Sequence, residues 1–405
     1  MKFLDIQFDT NIKKAIKDLG FESPTPIQKE TIPFLLKENI DLIALAQTGT
    51  GKTAAFGIPI IHKISINNTH PQSIILCPTR ELCLQITKDM QSYAKYTKGL
   101  KITPVYGGSN IQTQIKSLKS GTHIIVGTPG RVVDLIKRKH LILKKINFLV
   151  LDEADEMLNM GFKDDLDKIL EETSENKQTL LFSATMPKEV MRISKEYMNT
   201  PKTIEVSKRN EGAKNVEHHY YIVNVSNRYQ ALRRICDINP GIYGIIFCRT
   251  RRETSEIANK LIHDGYDADA IHGELSQNQR DNVMDRFRNK QLQILVATDV
   301  AARGIDINEL THVINYKLPD DNEVYVHRSG RTGRAGNKGI SIIIAHPREK
   351  KKINSIQRMI KRELIRKHVP NGNEICKIQL LNLIDKVIDT DINNQIEAYI
   401  PHIEK

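Results

Sequence analysis

Two stretches of this chain repeat one rhythm, and that rhythm constrains the fold more than any other feature. Short apolar runs alternate with longer helical patterns. The first set reads DLIALA, SIILCP, THIIVGTP, NFLVLDE and QTLLFSAT; the second reads GIIFCRT, LQILVATD, THVINYKLP and GISIIIAHP. A strand that is apolar on both faces suits the centre of a parallel sheet with helices on either side. The two sets therefore predict an α/β chain with two parallel-sheet domains in tandem. The polar stretch SKRNEGAKN falls between them and reads as a linker. The expected boundaries are a first domain over 1–206, a linker over 207–215, a second domain over 216–346 and a helical extension over 347–405.

Charge narrows the partners. The formal net charge is +12 and the pI about 9.3. Such a balance favours a polyanion, either nucleic acid or an anionic membrane, or reflects no more than a soluble basic surface. No apolar run approaches the roughly 18 residues of a membrane span, and the N-terminus lacks a signal-peptide core. The expectation is a cytoplasmic protein with no membrane partner. Cys77, Cys83, Cys236, Cys248 and Cys376 are scattered and lack metal-ligand spacing, so they read as reduced and structural.

Residues 46–53 read AQTGTGKT, directly after a strand-like run and before a helical one. This is a phosphate-binding loop. Gly49 and Gly51 let the backbone bend so that successive N–H groups face phosphate oxygens, and the following helix adds its positive end. In this pattern Lys52 reaches the β- and γ-phosphates and Thr53 a Mg²⁺ ion. Ala46 stands where the generic pattern has Gly. Residues 152–155 read DEAD at the end of a buried strand. Asp152 is expected to hold Mg²⁺, and Glu153 to orient and deprotonate the attacking water.

With these residues in view, the chain resembles the DEAD-box RNA helicases, the bacterial cold-shock-type subgroup among them. FESPTPIQ (21–28) looks like the family's adenine-recognising motif. PTREL (78–82), GG (107–108), TPGR (128–131), SAT (183–185), QNQR (277–280), ATDVAARGID (297–306) and HRSGRTGR (327–334) follow in family order. The resemblance implies two RecA-like domains, ATP and Mg²⁺ as cofactors, and unwinding of short RNA duplexes coupled to RNA-stimulated ATP hydrolysis. It suggests ribosome assembly, RNA decay or cold adaptation as the process served.

It also implies roles for particular residues. ATP would be bound by Phe3, Phe21, Gln28, Ala46, Gln47, Thr48, Gly49, Thr50, Gly51, Lys52, Thr53 and Asp306. Within that set Phe3 would stack on adenine, Gln28 would read its edge and Asp306 would meet the ribose. Arg331 and Arg334 would act as arginine fingers on the γ-phosphate. Ser183, Thr185, Asp155 and His327 would couple the ATP and RNA sites. RNA would be held without reading its sequence by Pro78, Thr79, Arg80, Gly107, Gly108, Thr128, Pro129, Gly130, Arg131, Arg280 and Thr298. Two rivals stand beside this reading: an ATP-gated RNA clamp that rarely turns over, and a DNA translocase.

The C-terminal part has its own character. Arg348 to His368 holds nine Lys/Arg against two Glu, with Ile353, Ile356, Ile360 and Leu364 at helical spacing. This predicts a basic amphipathic helix, packed on the second domain with a solvated charged face. Beyond Pro370, Leu380, Leu381, Ile384, Val387 and Ile388 form another apolar stripe. By resemblance the stripe would join two copies into a homodimer; the alternative is burial on the second domain.

Overall fold

The computed structural model describes residues 2–47, 49–206, 215–302, 310–333 and 337–389. The expected linker over 207–215 lies almost wholly outside them. Strands β1 (Leu42–Leu45), β2 (Ser73–Leu76), β3 (Ile102–Val105), β4 (Ile124–Gly127), β5 (Phe148–Asp152), β6 (Gln178–Ser183) and β7 (Lys202–Glu205) form one sheet in the order β3-β4-β2-β5-β6-β1-β7. Strands β8 (Val216–Ile222), β9 (Gly244–Cys248), β10 (Ala268–Ile271), β11 (Ile294–Thr298), β12 (His312–Asn315), β13 (Gly339–Ala345) and β14 (Leu364–Lys367) form a second, ordered β10-β11-β9-β12-β13-β8-β14. Every pairing in both sheets is parallel.

Alternation along each central strand feeds two cores. Leu42 and Ala44 enter one cluster with Phe56, Ile75 and Phe182, while Ile43 and Leu45 enter another with Ile74, Leu149 and Leu181. Helices therefore cover both faces, which is why these strands carry no polar face. A doubly wound sheet gathers its functional loops at the carboxyl ends of its strands. Here those ends carry the phosphate loop after β1, DEAD after β5 and SAT after β6.

The C-terminal region departs from expectation in two ways. The basic helix runs only over Lys350–Ile360. Lys361 then takes a left-handed backbone (φ 51°), which ends the helix. Leu364 therefore does not continue the stripe; it opens β14 and pairs with His218 on β8. The second sheet thus extends past the expected boundary at 346. Ile353, Ile356, Ile360 and Leu364 are nevertheless all buried, in one cluster with Leu318, Tyr325 and Ile343. The basic helix packs in cis.

The next helix, Gly372–Ile388, has no buried residue. Leu380, Leu381, Leu383, Ile384, Val387 and Ile388 are all exposed. Its links to the second domain are polar: Gln379 Nε2 donates to the Asp237 carbonyl, and just before it Arg234 bonds the Pro370 carbonyl at 3.2 Å. Burial of the stripe on the second domain is not seen among the described residues.

Candidate active site and nucleic-acid interface

The phosphate loop bends at Gly49 (φ 79°) and Gly51 (φ 86°), conformations that only glycine adopts without strain. Thr50 Oγ1 donates to the Gln47 carbonyl at 2.7 Å, and Lys52 Nζ to the Ala46 carbonyl at 3.2 Å. Lys52 and Thr53 open the helix Lys52–Lys63, and Lys52 is buried. Thr48 lies outside the described residues.

Gln28 is buried beneath this loop. Its Oε1 accepts from the Thr25 N–H at 2.8 Å, and its Nε2 donates to the Gly51 carbonyl at 3.0 Å. Thr25 Oγ1 adds a bond to the Thr50 carbonyl at 2.8 Å. A Cβ at Gly51 would fall 2.3 Å from Gln28 Nε2. The amide therefore braces the loop from below, and one N–H and one lone pair of it remain for a ligand. Substitution Gln28→Ala is expected to weaken ATP binding and to lower discrimination against GTP, measured as the ratio of ATP to GTP affinity. An unchanged ratio would leave Gln28 with the bracing role alone.

Phe3 requires a correction. It is 1% exposed and its ring lies 5.5 Å from that of Phe21. The backbone bond from the Phe3 N–H to the Glu22 carbonyl (3.0 Å) holds it there. Phe3 is a core residue in this arrangement, and the partly exposed ring of the pair is that of Phe21.

Asp152 and Glu153 end β5. Asp152 is buried, and its carboxyl is pushed up to about 6. Burial is the main cause; Glu153 adds to it and Lys52 opposes it. Glu153 has left-handed backbone (φ 50°), an uncommon conformation for a non-glycine residue. Its Oε2 is buried with no hydrogen-bond partner among the described residues. Beside them, Asp155 Oδ2 accepts from Thr185 N–H (2.9 Å) and Oγ1 (2.7 Å), and the Asp155 N–H faces Ser183 Oγ at 3.4 Å. SAT and DEAD are thus joined within the first domain.

Among the described residues, three ion pairs cross between the domains. His327 Nδ1 meets Glu156 Oε1 at 2.8 Å; Arg80 meets Asp281 at 2.9 Å; Arg280 meets Glu81 at 3.2 Å. Glu81, Glu156 and Asp281 are residues that sequence reasoning passed over: Glu81 stands within PTREL and the other two just after DEAD and QNQR, but the partner of each lies in the other domain. Arg80 also stacks over the Tyr106 ring at 4.9 Å. Arg131 bonds Gln114 (3.0 Å) and the Ser109 carbonyl (3.2 Å), bracing the loop that carries Gly107 and Gly108. Arg80, Arg131 and Arg280, expected to bind RNA, each have a protein partner in this arrangement. Gly107, Gly108 and Gly130 are exposed, while Pro78, Thr79, Thr128, Pro129 and Thr298 are buried at strand ends and helix starts.

In HRSGRTGR, Arg328 is 2% exposed and forks onto Asp299 at 2.5 and 2.7 Å. It also bonds Asn315 (2.9 Å) and the Lys317 carbonyl (3.2 Å). Arg331 is buried and lines a small cavity between the domains with Glu156, Asp299, His327 and Arg328. Arg334 and Asp306 lie outside the described residues.

Burial alone would push the His327 imidazole down. Its hydrogen bond to Glu156, that carboxylate's charge and that of Asp155 outweigh burial, so the histidine is raised above its ordinary range. The sign follows. A histidine raised on closure stabilises the closed form fully below its open-state pKa, and this contribution is lost as pH rises through the closed-state value. Inter-domain fluorescence transfer with nucleotide and RNA bound is expected to fall over that window, and Glu156→Gln to flatten the profile. A wild-type profile that is flat above the ordinary histidine range would refute the coupling.

Together a phosphate loop and paired carboxylates, with Arg331 of a second RecA-like domain near them across the cleft, give the chain the parts of a P-loop NTPase. Residues 25–193 match the DEAD/DEAH box helicase family, 227–336 the helicase conserved C-terminal domain, and 375–405 the helical domain of probable ATP-dependent RNA helicases. The DEAD-box ATP-dependent RNA helicase CshA of Geobacillus kaustophilus is 43% identical over 397 residues, 98% of this chain and 85% of that one. The chain belongs to the DEAD-box ATP-dependent RNA helicases.

Two solved structures add information on the arrangement. A DEAD box protein from Methanococcus jannaschii is 47% identical, covers 91% of this chain and 99% of its own, and superposes with a TM-score of 0.53. Dbp5 of S. cerevisiae bound to RNA and ADP BeF3 is 30% identical, covers 93% and 99%, and superposes with a TM-score of 0.84. The higher identity gives the lower score. Domains so similar in sequence share their fold, so the difference lies in how the two domains sit. This chain has its domains placed as in the Dbp5 complex.

Proposed function

We propose that this chain is an RNA-stimulated ATPase that grips single-stranded RNA in its closed form and so separates a few base pairs of a duplex. The observation that carries the reading is the closed cleft: among the described residues three ion pairs join the domains, and one of them, His327–Glu156, lines the same cavity as Arg331. ATP and RNA both favour this arrangement, and their coupling is then reciprocal. Gln28 and Phe21 receive the adenine, and the phosphate loop with Lys52 receives the phosphates. Glu153 takes a proton from the attacking water. Arg331, with Arg334, stabilises charge on the γ-phosphate once the domains meet. Arg80, Arg131 and Arg280 shape the RNA channel, and the exposed backbone at Gly107, Gly108 and Gly130 lies open to the RNA. RNA and DNA strands compared as stimulators of steady-state ATPase test this: RNA is expected to stimulate. Equal stimulation by DNA would favour the translocase, and none by either the clamp.

The residues suit Mg²⁺. A buried pair of carboxylates, one raised by desolvation and one with an unpartnered oxygen, is opposed chiefly by Lys52. Magnesium is commonly held by one or two carboxylates plus phosphates and keeps its waters, so a full protein cage is not required. Thr53 and Asp152 would hold it, and it would supply charge neutralisation on the phosphates.

No helix among the described residues is long and apolar enough to cross a membrane. We place the protein in the cytoplasm with its RNA, in ribosome assembly, RNA decay or cold adaptation. The exposed stripe on Gly372–Ile388 supports pairing with a second copy, because a run of exposed large apolar residues on one helix invites a cover. Sedimentation of the intact chain at micromolar concentration is expected to show a dimer that deletion of Gly372–Lys405 converts to a monomer with ATPase intact. A single monomeric species before deletion would refute it.

A further inference from the structure

The net charge of +12 is unevenly spread. Arg348 to His368, with nine Lys/Arg and two Glu, supplies more than half of it. The structure turns this run into the outer edge of the second sheet: helix Lys350–Ile360, the turn at Lys361–Glu363 and edge strand β14. Lys350, Lys351, Arg358, Arg362, Arg366 and Lys367 are exposed. Among the described residues, no carboxylate pairs with any of these six. Surface cations elsewhere in the same domain do find partners, among them Lys317 with Glu253, Arg286 with Asp269 and Lys260 with Glu256.

Topology separates this edge from the RNA channel. Arg280 follows β10, which is the opposite edge of the same sheet from β14. Six strand spacings of about 4.8 Å put the two edges roughly 29 Å apart. A strand gripped in the cleft does not itself reach β14.

From this geometry we infer that the basic edge formed by helix Lys350–Ile360 and β14 is a second RNA-binding surface, which takes the phosphate backbone of duplex or flanking RNA outside the cleft. The inference rests on the RNA-helicase reading above. The edge offers point charges and forks suited to phosphates, with no aromatic residue to stack a base, so it fits backbone contact without sequence preference. A lipid surface fits less well. A membrane-binding amphipathic helix buries its apolar face in lipid, and here that face (Ile353, Ile356, Ile360) is at most 2% exposed and already sunk in the core.

The test is the triple variant Arg358→Glu, Arg362→Glu, Arg366→Glu in the full chain, beside the milder Arg→Gln triple should charge reversal impair folding. Two RNA probes are compared in titrations over a range of salt: an oligouridine just long enough to fill the cleft, and the same strand extended by a hairpin duplex. The expected result is unchanged affinity for the short strand and unchanged kcat at saturating RNA. Affinity for the hairpin probe should drop roughly tenfold or more, and its log–log salt slope by about 2–3, since each lost phosphate contact removes about 0.7–0.9. Equal losses on both probes would reduce the effect to net charge and overturn the inference, as would no loss on either. Hairpin affinity that is unchanged while binding to phosphatidylserine vesicles disappears would assign the edge to a membrane instead. A wild-type chain whose ATPase ignores RNA altogether would instead bring down the helicase reading itself, a separate outcome.

Discussion

Substitution of Glu153 by Gln is expected to leave ATP and RNA binding intact and to slow turnover by about 10²–10⁴-fold, the range of a general-base contribution. The geometry separates the two carboxylates. Asp152 keeps its place on β5 whatever the next side chain is, so the phosphate and cation site survives. Glu153 is turned away from the regular strand by its left-handed backbone. Glutamine is close to isosteric and needs the same φ, so the loop is not released. What is lost is a basic oxygen that is buried with no hydrogen-bond partner among the described residues. The same absence makes a second, opposite forecast for stability. A buried carboxylate oxygen without a hydrogen-bond partner costs folding free energy, and an amide costs less. Glu153→Gln is therefore expected to unfold at a temperature equal to or above the wild type while losing turnover. Rapid-quench measurement of a single turnover with RNA bound, together with a thermal melt, checks both. Near-native hydrolysis would remove Glu153 from the chemistry.

What the sequence disclosed and what it withheld follow one physical division. The strands found from sequence (β1, β2, β4, β5, β6, β9, β11, β12, β13) are buried on both faces and mostly apolar. Those missed are the edge strands β3, β7, β10 and β14, and β8 beside the last of them. An edge strand is half solvated, so Lys202–Glu205 and Leu364–Lys367 carry charge where a central strand cannot. For Leu364–Lys367 a helical period carried on from Ile360 was the stronger signal, and it was broken by one left-handed residue, Lys361.

The site divides likewise. Lys52, Asp152 and Asp155 are legible because a loop–helix or strand–turn frame fixes them locally. The contacts that close the cleft are not, since Glu81, Glu156 and Asp281 gain meaning only when the other domain arrives. Gln28 shows the intermediate case. Its motif flagged it as an adenine reader, but its bracing of the Gly51 carbonyl depends on two segments meeting in space.

The arginines of HRSGRTGR are expected to fail in different ways, and the difference tests how the second domain takes part. Arg328 is engaged on every side, by Asp299, Asn315 and the Lys317 carbonyl, with the Phe247 ring 5.0 Å away. Removing one partner of a pair this buried leaves charge uncompensated and costs roughly 3 kcal/mol. Arg328→Ala should therefore lower the melting temperature of the second domain, with activity falling as a consequence. Arg331 is a different case. It lines the cavity between the domains, next to His327 and across from Glu156. That position borders the first domain only when the cleft is shut, so an arginine finger there is expected to act in the closed state. An arginine supplied to a γ-phosphate at closure is worth about 10³–10⁵ in rate. Arg331→Lys keeps the charge and loses the planar fork, so it should recover only part of what Arg331→Ala loses. The expected pattern is a fall in kcat of roughly 10³-fold for Arg331→Ala. Nucleotide affinity measured without RNA should be near wild type, because Arg331 belongs to the second domain and the phosphate loop to the first. Fluorescent-nucleotide titration without RNA and single-turnover hydrolysis with RNA separate the two quantities. Equal losses in both would place Arg331 at the nucleotide before closure, and would contradict a finger delivered by the second domain.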